Sequence, residues 1–239
     1  MNSYQRKLTL LSIVYAVVCG IRSAFPKKDV ECVCLFDCPL SWPIFGRSIA
    51  TIAELCYIKL IILIIKGVAE DIGIESGSIS IMILEKLFPF IALAQIFSWM
   101  GCLTKNNLWN ASEESIWMIT FTIITIININ ISNKIYLQED SLKNNSIKSL
   151  LNMAIPLGIG FVLFLIIVDI PMYIKRWKKN PDPEVKPMDE NFRNLAQCKK
   201  VSKSFETWKQ DIPWQTGYFT LGVWSSIGLV LWYNSYSKL

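Results

Sequence analysis

The sequence predicts an all-α, polytopic membrane bundle of about six transmembrane helices, with one further amphipathic helix at the membrane interface. Three observations predict it. Of 239 residues, 52% are hydrophobic and 18% charged, with mean hydropathy +0.38, against about 45–50% apolar and about 25% charged in an average soluble domain. The apolar residues fall in blocks close to the roughly 20 residues a helix needs to cross the hydrocarbon core. Between the blocks, lysine and arginine gather beside the predicted helix ends.

The spans are expected near 8–25, 47–66, 80–101, 112–131, 150–174 and 217–233, within one membrane domain without internal repeats. The first has two readings. The pair Arg6/Lys7, a short apolar run and small residues after it fit a secretory leader. They fit equally a first span reaching Phe25, with Arg22 snorkelling to the interface, and the lack of an A-x-A-like cleavage site favours that span. Pro89, Pro156 and Pro171 predict kinks, which neighbouring helices must satisfy. Gly46/Ala50 and Gly222/Ser226 form small-xxx-small stripes suited to close helix contact, and Gln95, Asn128 and Asn152 read as interhelical glue.

Chain parity puts loops 22–46, 102–111 and 175–213 on one face whether the first span is counted or not. Arg22, Lys27, Lys28, Lys105 and the run Lys175, Arg176, Lys178, Lys179 begin a basic set about twice that of the opposite face. The positive-inside rule makes this face cytoplasmic, with both termini opposite. Arg6 and Lys7 argue the other way.

Asn180–Pro187 is a proline-punctuated linker. Beyond it, Asp189 is a plausible N-cap, and Phe192, Leu195, Cys198, Val201, Phe205 and Trp208 recur at three- and four-residue spacing. That predicts an amphipathic helix within 180–212, lying against anionic headgroups or packing on the protein's own loops. The expected membrane-interface residues are Trp177, Lys178, Lys179, Phe192, Phe205, Trp208 and Trp214.

Ionisable groups inside spans usually face a partner or a cavity, and here they cluster. Arg47, Glu54, Glu113, Glu114 and Asp169 all fall in one half of the bilayer. Glu54 is seven residues past Arg47, about 20° round the helix and about 10 Å deeper, so each is expected to seek partners on other helices. Glu54 with Arg47 or Lys59 stays ionised; alone it is neutral. Glu113 and Glu114 follow Ser112, so first-turn acids favouring the helix dipole are an alternative reading. Asp169 has Lys175 and Arg176 as candidate partners, and Arg47 lipid phosphates. Trp42, Trp99, Trp109, Trp117, Trp177, Trp208 and Trp214 fall on or near the same face, although tryptophan normally favours both interfaces. Together these residues predict an aromatic-lined polar vestibule.

The absence of histidine excludes His-ligated haem, His-bearing zinc sites and every triad with a histidine base. The run Cys32-Val33-Cys34-Leu35-Phe36-Asp37-Cys38 lacks C-x2-C pairs; even with Cys198 as a fourth ligand, no metal and no cofactor are expected. On a cytoplasmic face these are reduced thiols; on an oxidising face, Cys32 or Cys34 is expected to pair with Cys38. The E-E-x-x-x-R motif of CAAX-type prenyl proteases is not met by Glu113-Glu114, because Met118 stands at the arginine position. Walker A and aspartate-rich prenyltransferase motifs are absent too.

The expectation is a non-catalytic membrane protein, either a subunit or scaffold of a membrane assembly or a small transporter with a carboxylate-rich intramembrane cluster. The alternative is a membrane enzyme on a lipid or isoprenoid substrate, with buried carboxylates as acid and base. Expected partners are membrane lipids and other membrane subunits. Nucleic acid is not expected, since the net charge of +5 sits beside spans.

Overall fold

Four of the five longest helices start at side chains that satisfy the first free backbone N–H groups. In the computed structural model, which describes residues 2–138, 141–181 and 187–239, Asn2 and Gln5 form a reciprocal capping box on α1 (Ser3–Ala24). Pro43 opens α2 (Pro43–Asp71), where a missing N–H is harmless. Ser78, Asn106 and Ser141 cap α3 (Ile79–Thr104), α4 (Asn107–Tyr136) and α5 (Leu142–Phe164). Lys105, left-handed at φ 59°, ends α3, and Asn106 starts α4 at the next residue.

The end of α5 passes through a π-helical turn, Leu165–Asp169, into α6 (Ile170–Lys179). Pro171 explains the turn: it has no N–H to donate and its ring clashes with a carbonyl in the preceding turn, so the helix widens locally. Shorter elements follow: α7 (Met188–Leu195), α8 (Phe205–Trp208) and α9 (Ile212–Thr216). A second π turn, Gly217–Gly222, leads into α10 (Val223–Tyr236). The chain is therefore helical without a break from Ile212 to Tyr236.

The architecture is all-α. Among the described residues, five helical stretches are long and apolar enough to span a membrane: Ser3–Ala24, Pro43–Asp71, Ile79–Thr104, Asn107–Tyr136 and Leu142–Lys179. Successive helices pack in chain order, with α4 against both α5 and α6, and α10 returns against α1. The core runs between α2, α3 and α4, through Ile58, Ile65, Ile81, Leu84, Ile91, Trp117 and Ile131. Lipid tails are as apolar as these side chains, so close packing rather than escape from water holds the helices. A Cβ at Gly101 would strike the Asn110 side chain, and one at Gly222 would strike the Tyr15 hydroxyl. Ser12 and Ser226 hydrogen-bond at 3.3 Å across the α1–α10 contact.

The three loops that parity assigns to one face meet at one end of the bundle. Strand β2 (Val33–Cys34) pairs antiparallel with β1 (Lys27–Lys28) and parallel with β3 (Lys200–Val201). Lys105 from the α3–α4 link donates to Cys32 Sγ at 3.0 Å. Cys34 and Cys198 form a disulfide, their Cα atoms 5.9 Å apart. Both sequence expectations for these cysteines give way: Cys34 is not a free thiol, and its partner is not Cys38. The β2–β3 ladder decides it, by bringing residues 33–34 beside 200–201.

The same tether corrects the amphipathic helix. Helical structure stops at Leu195, residues 200–201 are strand, and a single helical turn returns at Phe205. Cys198 held at Cys34 prevents the three- and four-residue spacing from running on as one helix. The linker reading of Asn180–Pro187 falls largely outside the described residues.

Candidate functional site

Two charged joints close the loop end of the bundle. The first lies between α2, α3 and α4. Arg47 Nη2 donates to Glu54 Oε1 at 2.8 Å and to Gln95 Oε1 at 2.7 Å. Gln95 Nε2 donates to Glu54 Oε2 at 2.7 Å, so the three side chains close a ring. Glu113 stands 3.7 Å from Arg47 Nη1. All four are buried. The expectation that two helical turns separate Arg47 from Glu54 too far for direct contact is wrong. Helical side chains lean toward the N-terminus, which brings Glu54 back toward Arg47, and the arginine is long enough to close the remaining gap against that tendency.

The second joint centres on buried Asp211. Lys28 Nζ lies 2.6 Å from Oδ2, while Arg176 Nη2 and Trp214 Nε1 donate to Oδ1 at 2.9 and 3.1 Å. It ties the first loop, the end of α6 and the start of α9 together. Arg176 is thus taken by Asp211, and no ion pair to Asp169 forms among the described residues.

Between the joints is a cavity with about 60 Å³ open to water-sized molecules, room for a few waters. Arg47, Glu54, Glu113 and Glu114 line it, together with Arg22, Lys27, Lys28, Arg176, Asp211, Trp214, Tyr173 and Tyr218. Glu114, Trp117 and Thr120 recur every three residues on α4 and so share a face. Glu114 Oε2, Trp117 Nε1 and Thr120 Oγ1 are buried without a hydrogen-bond partner among the described residues, as is Asp169 Oδ1. Asp169 interacts electrostatically with Glu114. Asp169 comes from one π turn and Tyr218 from the other; such turns recur at functional sites.

The first-turn reading of Glu113 and Glu114 is also corrected. Asn106 accepts from Leu108 N at 2.9 Å and starts α4 early, so both acids sit in its second turn, beyond the free N–H groups. Ser112 bonds back to Leu108 O instead.

At the cavity rim, Lys27 is buried, with Nζ donating to Leu40 O at 2.6 Å. Burial pulls its pKa down to about 8. The unfolded chain then binds the extra proton between about pH 8 and the ordinary lysine value near 10.5. Stability is therefore expected to rise with pH across that window, on the order of 2 kcal/mol, the penalty being fully present below pH 8. Melting curves in detergent at pH 7.5 and 9.5 check this: Lys27→Met should flatten the rise, and an identical slope in both chains would refute it.

No family model, curated protein or solved structure matches this chain.

The structure brings Arg47, Glu54, Glu113 and Glu114 to one cavity, with Asp169 alongside. The expected interface residues separate. Lys178, Lys179, Phe192 and Phe205 are exposed and Trp177 is half-buried. Trp208 is buried and bonds Ser202 O at 2.9 Å, while Trp214 belongs to the Asp211 joint. Lys59 is exposed, with Nζ 5.5 Å from the Phe88 ring centre, and takes no part. Gln95, expected only as glue, completes the Arg47 ring. Tyr173 and Tyr218 carried no signal beyond being aromatic residues in apolar helices.

Proposed function

We propose that the chain is a non-catalytic integral membrane protein, a small carrier or a subunit of a membrane assembly, whose carboxylate-rich cavity takes a small cation or amine. The observation carrying this reading is the pair of buried, unpartnered acceptors, Glu114 Oε2 and Asp169 Oδ1. Of the cations lining the cavity, Arg47 is paired with Glu54, Arg176 and Lys28 with Asp211, Lys27 donates to Leu40 O, and Arg22 stands over the Phe219 ring. Buried acceptors left unmatched are costly, and a ligand that brings N–H groups or positive charge matches them. Glu54, fully engaged, is a structural member of the site, and Glu114 is the ligand-facing acid.

The helical stretch Ile212–Tyr236 is the sixth span in this reading. Membrane lipids and neighbouring membrane chains are its partners. The loop end of the bundle lies in an oxidising compartment. The basic excess there predicts a cytoplasmic face, but the Cys34–Cys198 disulfide supports the opposite side, because cytosolic thiol buffers keep such bridges open. Part of that basic excess also serves the internal joints at Asp211.

Native mass spectrometry of the chain released from mild detergent tests the ligand reading. Wild type should retain a small cationic adduct that Glu114→Gln loses, with the melting temperature of the variant unchanged. Co-purifying protein chains at fixed stoichiometry, with no small adduct, would overturn the cavity's ligand role.

A further inference from the structure

Beside the carboxylate cavity lies a second hollow of opposite character. It offers about 360 Å³ and is bordered by Lys105, Arg176, Lys179 and Lys199, with Glu31 the lone acid among the described residues. Lys179 and Lys199 have no ion-pair partner among the described residues. Asn107 also borders it, at the first turn of the 30-residue helix α4. That side chain is nine-tenths buried, and its Oδ1 has no hydrogen-bond partner among the described residues. The hollow sits where α3 and α6 end and α4 begins.

We propose that this hollow is a binding site for a phosphate group that carries a hydrogen-bond donor. The lysines and the positive end of α4 attract the anion. Asn107 Oδ1 accepts, so the ligand presents an O–H or N–H beside its phosphate. A glycerol-bearing headgroup and free hydrogen phosphate both meet that description; a choline headgroup does not. The site is independent of what the carboxylate cavity holds.

Native mass spectrometry of the full chain in detergent, titrated with dioleoyl phosphatidylglycerol and separately with dioleoyl phosphatidylcholine, tests the lipid source. Titration with inorganic phosphate, followed by phosphorus NMR, tests the free anion. Retention of phosphatidylglycerol over phosphatidylcholine assigns a headgroup, and binding of phosphate alone assigns a soluble anion. In either case Lys179→Gln/Lys199→Gln should weaken binding roughly tenfold. Lys178→Gln/Lys203→Gln removes equal charge from the same face outside the hollow and should leave affinity within about twofold. Equal loss in both double variants means surface charge alone and overturns the site, as does equal retention of both lipids without phosphate binding. Asn107→Leu should narrow the preference for phosphatidylglycerol over phosphatidylcholine; an unchanged preference removes the donor requirement and overturns the proposal as stated.

Discussion

Arg47→Met is expected to destabilise the chain by about 3–5 kcal/mol, the range seen when one member of a buried ion pair is removed. Arg47 is the only cation within salt-bridge distance of Glu54 and Glu113 among the described residues, and all three are buried. Removing it leaves two carboxylates facing each other in a low-dielectric setting, with Gln95 the only remaining donor to Glu54. Thermal melts in detergent, read by tryptophan fluorescence, should show the apparent Tm falling by roughly 10 °C. Arg47→Met/Glu54→Gln should recover part of the loss, because the pair is coupled rather than additive. If the single variant melts within 2 °C of wild type, Arg47 is not the counter-charge of the ring and the interhelical joint described above does not hold. A double variant no better than the single would likewise argue against coupling.

Cys34→Ser is the second large effect, expected at about 4 kcal/mol. The bridge joins residues 164 apart in sequence, and closure of a loop longer than about 100 residues lies at the upper end of the chain-entropy range. The loss should be local in structure as well. With the tether gone, the two-residue β2–β3 ladder alone holds residues 196–202 over the first loop. The same bridge gives a direct test of sidedness. Of seven cysteines, the bridge removes two, so acid-trapped cells treated with a maleimide polymer under denaturing conditions should show five modified thiols. Seven modified thiols would place the loop end in a reducing compartment, restore the cytoplasmic orientation that the lysine and arginine count predicts, and remove the disulfide's contribution to stability in the cell.

Charge placement made the site legible before any geometry was known. Arg47, Glu54, Glu113 and Glu114 are costly in hydrocarbon wherever they sit, and parity alone assigns them to one half of the bilayer. Their exact partners were not legible, because helix spacing counts Cα positions while arginine carries its charge several ångströms away. The disulfide was hidden for a different reason. A ladder of two residues has no periodicity to detect, and it joins segments separated by most of the chain. Residues 189–208 mislead for a related cause: their spacing is helical, but a covalent tether at Cys198 outweighs local preference. The π turns leave a trace in Pro171 and in the glycines at 217 and 222, without any indication that Tyr218 lines the cavity or that Asp169 stands near Glu114. The extra capping turn at Asn106 was readable in principle, since asparagine is a strong N-cap, but Ser112 competed with it on equal terms.

Glu54 lies about 16 Å along α2 from Pro43 and about 25 Å from Asp71, at 1.5 Å per residue. On the near side are buried charges and a water-sized cavity; on the far side, Ile58, Ile61, Ile62, Ile65 and Val68 form an apolar core, with Lys59 and Lys66 on the outer surface of the helix. Electrically the two halves are capacitors in series, and a voltage divides mainly across the one with the lower dielectric. A membrane potential therefore falls chiefly between Glu54 and the far end of α2. On the proposed reading, a cation reaching Glu114 from the loop end would cross little of it, and occupancy of the cavity would be nearly independent of voltage. Moving that charge onward through the isoleucine layer crosses almost the whole potential, at about 2.3 kcal/mol per 100 mV.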